Sequence, residues 1–214
     1  MRERSDAWQR YHAASMTFLA CGIVYHSGLI AYMQDDEHTQ DRDERFKEAQ
    51  NADRLLIELM FSNAVDNFKT YIADIILLCV SKKPNLLFGK TLDAKSIFQT
   101  DDINELRAAL IEKHVAELSY GNIDDLIKFV KDRMGLDTLQ KSKITPKRLN
   151  RLIQIRNIIT HNRGIVNSLY ITRSGSRSDR LGDAVSVPHP LRTSGYLQRL
   201  AVLLDAQAVQ KFGL

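Results

Sequence analysis

The sequence predicts an all-α protein, a bundle of four to five main helices, on three observations. Apolar residues recur at spacings of three and four through most of the chain, as they do on one face of a helix. Only 4 Pro and 10 Gly in 214 residues leave too few breaks for an all-β fold with many tight turns. The balance of 44% hydrophobic and 26% charged residues is typical of a globular chain, and the length favours one domain over 1–214.

The first helix is predicted from Ser5 or Asp6 to about Met33, and this N-terminal segment, 1–33, is expected to pack on the bundle. One face of it is formed by Tyr11, Ser15, Phe18, Gly22, His26, Leu29 and Met33. Met16 to Met33 carries no formal charge over 18 residues, which is the edge of membrane-spanning length. Its polar and small residues, and the absence of a signal-peptide pattern before it, favour a buried core helix. We therefore expect a soluble, cytoplasmic protein with no membrane partner.

The second helix is predicted from about Asp41 to Ser81, and Pro84 stops it. Its second half is apolar nearly all round, which predicts a place in the middle of the bundle. Further helices are expected over Ile103–Leu118, Ile123–Met134 and Ser194–Phe212. Another is expected to start at Thr145-Pro146, to reach Gly164 and to continue to about Ile171 if Gly164 does not end it. The connections are a polar bridge at 34–40, a Thr100-Asp101 cap, a break at 120–122, and a basic loop and extended segment at 172–192 with 184–187 extended.

Basic residues are concentrated late in the chain. Between Thr138 and Arg180 ten Lys or Arg stand against one acid, Asp179, which gives +9 in 43 residues of a chain whose net charge is only +4. Such a stretch attracts a polyanion, most commonly a nucleic-acid backbone, although a solvated helix face with a flexible basic loop has the same composition. The candidate RNA-binding residues are Lys147, Arg148, Arg151, Arg163, Arg173 and Arg177.

The sequence offers no clear metal or cofactor site. Cys21 and Cys79 are too few for a disulfide scaffold or a Cys-based zinc site, and they predict a reducing compartment. The acidic cluster Asp35–Asp43, with His38, matches no ligand spacing and is interpreted as an interhelix loop. There is no phosphate-binding glycine loop, His-Glu-x-x-His motif or nucleophile elbow. We therefore predict no metal and no cofactor.

One motif carries chemistry. Within the basic stretch Arg156 is followed directly by Asn157 and, four residues later, by His161. Positions five apart on a helix are rotated by about 140°, so Arg156 and His161 do not share a face, whereas Asn157 and His161 do. A single copy of this helix makes a poor site. Two copies crossing at a two-fold axis would gather two Arg and two His in one cleft and join two basic stretches into one groove.

An Arg-Asn-x-x-x-His sequence in a late helix of an all-α bundle resembles the HEPN superfamily (higher eukaryotes and prokaryotes nucleotide-binding domains), over roughly residues 40–212. The resemblance implies a metal-independent endoribonuclease with a composite site at a homodimer interface, acting as a toxin or in phage defence, with an antitoxin or defence-system protein as partner. Arg156 and His161 would be the catalytic pair and Asn157 the polar helper. Related toxins paired with nucleotidyltransferase antitoxins carry Tyr two residues after the His; Arg163 stands there, which argues against that pairing.

The chemistry of such a site follows from RNA itself, whose 2′-hydroxyl is the nucleophile. The His161 imidazole can take that proton or give one to the leaving 5′-oxygen, while the Arg156 guanidinium holds the scissile phosphate. Asn157 would orient His161 or the phosphate. DNA, which lacks the 2′-hydroxyl, should be spared. The alternative is a catalytically inert HEPN-like module that dimerises or binds RNA or protein, with Arg156 and His161 as a packing pair.

Overall fold

The computed structural model describes residues 4–34, 42–89, 102–120, 123–140 and 144–214. Over these residues the protein is all-α, with seven α-helices, two 3₁₀ turns and no strand. The helices are α1 Asp6–Gln34, α2 Arg42–Lys82, α3 Ile103–Tyr120, α4 Ile123–Asp132, α5 Ile144–Asn162, α6 Ser168–Ser174 and α7 Pro190–Phe212. Five of them have 18 residues or more, which confirms the predicted all-α bundle of four to five main helices.

Local signals set several of the helix ends as predicted. The Ser5 hydroxyl accepts the Trp8 backbone N–H at 3.2 Å and caps α1. Pro84 follows the end of α2 and opens a 3₁₀ turn. Before α3 the cap is Asp102, whose carboxylate accepts the Asn104 N–H at 2.8 Å. The predicted Thr100-Asp101 cap lies outside the described residues, as do the bridge at 35–40, most of the Asp35–Asp43 cluster with His38, positions 121–122, and Lys141 and Lys143.

The end of α5 corrects the sequence analysis. The helix stops at Asn162, so the predicted continuation past Gly164 to Ile171 is wrong. Arg163 and Gly164 both take left-handed backbone angles, with φ of 53° and 72°, and a helix cannot pass through them. Beyond this turn Gly164 and Ile165 run beside Ala184 and Val185, with one antiparallel bridge, Ile165–Ala184, where an extended stretch was expected.

Two further boundaries differ from the prediction. The segment expected to be a basic loop from residue 172 is helical to Ser174, because α6 is a separate helix with Asn167 as its N-cap and left-handed Gly175 after its end. The last helix begins at Pro190, four residues earlier than expected. Pro is well suited to the first position of a helix, because the missing N–H has no partner there anyway.

By its internal contacts the chain divides into two units. Unit 1 contains 1–11, 68–150 and 199–214, and unit 2 contains 12–67 and 151–198. Helices α1, α2, α5 and α7 each contribute residues to both units. The single domain over 1–214 stays a prediction.

Unit 1 is built on an aromatic cluster. The rings of Tyr11, Phe68 and Tyr71 lie with their centroids 5.3 to 6.4 Å apart, in tilted or edge arrangements. The buried Tyr71 hydroxyl donates to the Ala201 carbonyl at 3.0 Å, and burial raises the pKa of Tyr71 well above its ordinary value. The apolar second half of α2 is therefore a core element, as predicted.

Unit 2 covers only one side of α1. Ser15 and Gly22 are buried on the predicted face, but the expectation of a buried core helix is wrong. The stretch Asp6–Ala31 is long and apolar enough to cross a membrane by length and composition alone. Only 11% of its most apolar part is buried. The exposed side chains include Met16, Ile23, Val24, Tyr25 and Ile30, between 43% and 73% exposed. A spacing pattern predicts which face packs, but it does not show how much of the remaining surface is covered.

Gly22 and Gly28 of α1 form a matched pair for mutation. The Met60 side chain of α2 occupies the space that a Cβ at Gly22 would take, while nothing lies within 4 Å of a Cβ at Gly28. We expect Gly28→Ala to raise the free energy of unfolding by about 0.5–1 kcal/mol, through helix propensity alone. Gly22→Ala should gain less, because Met60 has to move. Urea denaturation of the two variants checks this, and an equal gain would contradict the close approach at Gly22.

Candidate active site

The motif helix α5 is anchored by its apolar side. Within unit 2 its buried residues are Leu152, Ile153, Ile155 and Ile158. The polar motif residues occupy the remaining surface of the helix: Arg156 and Asn157 are half-buried and His161 is exposed. The helix therefore does not bury Arg156 and His161 together as a packing pair.

The guanidinium of Arg156 is held by an acid from α2. Its Nε lies 2.9 and 3.0 Å from the two carboxylate oxygens of Asp66, and its Nη2 lies 2.9 Å from Oδ2. Nη1 donates to Asn157 Oδ1 at 3.4 Å, so the predicted helper does contact the Arg. A guanidinium has five N–H groups, and two of these five have no partner among the described residues. They can bind the oxygens of a phosphate while Asp66 fixes the plane of the group.

His161 lies in the last turn of α5, on the same helix face as Asn157. Its imidazole is exposed and makes no hydrogen bond or ion pair to the part of the chain that the structure describes. Because α5 is continuous from 144 to 162, Arg156 and His161 point in directions about 140° apart, as their spacing predicts. The imidazole is accessible for proton transfer, and no described side chain is bonded to it.

Helix α2 contributes polar residues that were not predicted as site residues. Besides Asp66 these are Ser62, Asn63 and Asn67. The Asn67 amide donates to Asn63 Oδ1 at 2.9 Å. The Ser62 hydroxyl is buried and has no partner among the described residues. The available signal was their spacing, since all four interrupt the apolar half of α2 on one side. The sequence does not indicate that this side of α2 contacts α5.

The basic candidates are divided between the two units. Arg163, Arg173 and Arg177 are exposed in unit 2, while Lys147 and Arg148 are exposed in unit 1. Arg151 is partly engaged, with Nη2 3.7 Å from Asp179 Oδ2. Among the described residues no group of three or more His, Cys, Asp or Glu is arranged to hold a metal ion.

Asp179, the one acid of the basic stretch, organises the loop after α6. It accepts the Tyr170 hydroxyl at 2.8 Å and lies beside Arg151. The pKa of Asp179 is held below its usual value, first by the hydrogen bond from Ser176 and then by the hydrogen bond from Tyr170 and the positive charge of Arg151. Partial burial acts in the opposite direction. Burial, together with the bond to Asp179, raises the pKa of Tyr170 to about 12. The loop that carries Arg177 is therefore attached to α5 through a carboxylate.

This arrangement predicts a pH dependence. A carboxyl whose pKa is lower in the folded than in the unfolded state contributes stability above its unfolded pKa, near 3.8, and loses it as the pH falls through the folded pKa. Asp179→Asn should therefore make the protein less stable at neutral pH and flatten the loss of stability below about pH 4. Thermal unfolding of both proteins from neutral to acid pH measures this. Parallel curves would show that Asp179 titrates alike in the two states.

Comparison with protein-family models, with curated proteins and with solved structures finds no match for this chain.

Proposed function

We propose that this protein is a metal-independent endoribonuclease that acts as a homodimer, with Arg156 and His161 as its catalytic pair. The observation that supports it best is the pair itself. A guanidinium fixed by Asp66 keeps two N–H groups for a phosphate, and an accessible imidazole follows five residues later on the same helix. No described side chain buries His161 or blocks its ring nitrogens by a hydrogen bond, which a purely structural pair would require.

The reaction is a transesterification within the RNA strand. The 2′-oxygen loses its proton and attacks the neighbouring phosphorus, and the bond from phosphorus to the 5′-oxygen breaks. The products are a 2′,3′-cyclic phosphate and a 5′-hydroxyl. One imidazole accepts the first proton and another donates to the leaving oxygen, and His161 from each of two chains could supply both. Arg156 would stabilise the extra charge on the phosphorane-like transition state.

The surroundings favour RNA as the substrate and a second copy as the partner. Arg163 is exposed just after the end of α5, Arg173 is exposed on α6, and Arg177 is exposed on the loop that follows α6. In these places they would contact phosphates. A two-fold axis near α5 would complete the site that one copy leaves open. The biological setting we propose is a cytoplasmic toxin or antiphage effector, controlled by an antitoxin or another defence-system protein.

The test is cleavage of a labelled single-stranded RNA in EDTA. A matched oligonucleotide with 2′-deoxy residues is the control, because it keeps the phosphates and lacks the nucleophile. We expect cleavage of the RNA alone, with cyclic-phosphate and 5′-hydroxyl ends identified by mass spectrometry. Cleavage of both strands, or only with added divalent metal, would contradict the proposed chemistry.

RNA binding itself gives a second prediction. If Arg163 and Arg177 contact phosphates, replacing either with Ala should weaken binding to all sequences alike and reduce the slope of log K against log salt by about 1. Arg199, exposed on α7 outside the basic stretch, is the matched control. Fluorescence anisotropy at several salt concentrations measures the slope. An equal effect of Arg199→Ala would show only a general influence of net charge.

An inert binding module is the second candidate, and one observation favours it. Asp66 already neutralises Arg156 in the described structure, which reduces its attraction for a phosphate. Such a module would bind RNA or self-associate without cutting any of a broad set of RNAs. The cleavage assay in EDTA, combined with the binding assay, separates the two functions.

A further inference from the structure

We infer that the outward face of α1 binds the same face of a second copy of this chain. The inference concerns a surface that the proposed ribonuclease site does not use. From Tyr11 to Gln34 the sequence of α1 contains no Asp, Glu, Lys or Arg. A helix that remains exposed to water normally carries charged residues on its outer face. An outer face with no charged residue indicates that something covers it.

Nine of the exposed residues between Tyr11 and Gln34 lie on three lines with a seven-residue repeat, while others, such as Cys21 and Tyr25, lie beside these lines. The bulky line consists of Met16, Ile23 and Ile30, and the small line consists of Ala13, Ala20 and Ser27. The third line, Thr17, Val24 and Ala31, is mixed. All nine are exposed in the structure. A strict seven-residue spacing keeps one seam of a helix against another helix over several turns. We therefore call these nine residues the α1 seam, and its expected occupant is a helix.

The structure argues against a lipid bilayer as the occupant. The second half of α1 lies beside the first part of α2, since His26 Nδ1 is 3.1 Å from Asp53 Oδ1 and Met60 packs on Gly22. Residues 46–54 of α2 include four charged residues, Lys47, Glu48, Asp53 and Arg54. Inserting α1 into a membrane would bring those charges into or against the hydrocarbon region, where charged side chains are strongly disfavoured.

A second copy fits the α1 seam because the seam is complementary to itself. The bulky line stands directly beside the small line, so across a two-fold axis the ridge of one helix can enter the groove of the other. The large side chains, 43% to 73% exposed, and the small ones between them present on the order of 500 Å² of apolar surface per chain. A symmetric pair would then bury about 1,000 Å², the lower limit for a specific interface, so we expect a reversible association that depends on concentration.

The experiment compares the mass of the protein in solution, by sedimentation over a wide concentration range, with that of two variants. Ile23→Glu places a charge in the middle of the α1 seam and should weaken self-association by about tenfold or more. Leu203→Glu is the control, because Leu203 is similarly exposed, 55% against 59%, but lies on α7 in unit 1. A wild-type chain that remains monomeric, or equal association of Ile23→Glu and wild type, would overturn the inference.

A second measurement does not depend on destabilising the interface. Ala20→Cys, combined with Cys21→Ser, puts the one exposed thiol on the small line of the seam; Cys79 is buried. We expect rapid oxidative cross-linking of this variant and less cross-linking of wild type, whose Cys21 lies to the side of the seam. More cross-linking of wild type than of the variant would refute pairing through α1. Flotation of wild type with anionic vesicles would also refute it, if Ile23→Glu abolishes that flotation. Self-association through α1 without RNA cleavage would instead refute the ribonuclease and leave this inference intact.

Discussion

Replacing His161 with alanine is expected to reduce the rate of RNA cleavage in EDTA by about 10²–10⁴-fold, the range for removal of a general acid or base. The side chain is exposed and makes no contact that stabilises the fold among the described residues, so the free energy of unfolding should change by less than about 0.5 kcal/mol. RNA affinity should fall little, because Arg156, Arg163 and Arg177 would still contact the phosphates. Activity, stability and binding of one variant are thus separable readouts.

The chain offers a matched control for His161. His189 is also exposed, lies in the same unit and is outside the motif, so His189→Ala should cleave RNA like the wild type. Cleavage that survives in His161→Ala would remove the imidazole from the mechanism. Loss of cleavage in both variants would point to a shared effect on the fold, which circular dichroism and thermal unfolding would reveal.

The motif helix α5 can be predicted well from the sequence because its signals are local. The apolar residues at 152, 155 and 158 face inward as their spacing requires, and Arg156, Asn157 and His161 are left on the more open surface. The helix end was not predicted, since Arg163 in a left-handed conformation is rare for a residue that is not glycine and has no signature of its own. A helix end set by tertiary pairing of 164–166 with 182–185 is a long-range effect.

Asp66 shows why part of the candidate site could not be predicted. It is separated from Arg156 by 90 residues, and no periodicity within α2 indicates which helix its polar side will meet. The same limitation explains α1, whose packed face was predicted and whose exposed face was not. The spacing of apolar residues identifies surfaces within one helix, but the contact between two helices depends on how they are arranged. The partners of isolated polar residues in apolar helices are therefore what a structure adds.

The second large effect is expected at the Arg156–Asp66 pair. Arg156→Ala should reduce cleavage by about 10²–10³-fold, as when one charged donor to a transition state is removed. Arg156→Lys should not restore it, because an ammonium group cannot bind Asp66 through two N–H groups and a phosphate through two others. Asp66→Asn keeps the size of the side chain but loses the charge that fixes the guanidinium, and we expect an intermediate loss of about tenfold.

A double-mutant cycle shows whether Asp66 acts through Arg156. If it does, Asp66→Asn should cost nothing further in the Arg156→Ala background, since the group that it positions is gone. The coupling in stability should be small, about 0.5–1 kcal/mol, because both side chains are partly exposed, whereas the coupling in cleavage rate should be larger. Additive losses in rate would mean that Asp66 contacts the substrate by itself. Faster cleavage by Asp66→Asn would mean that the carboxylate competes with the phosphate for Arg156, so that the described pair is a resting state which RNA must open.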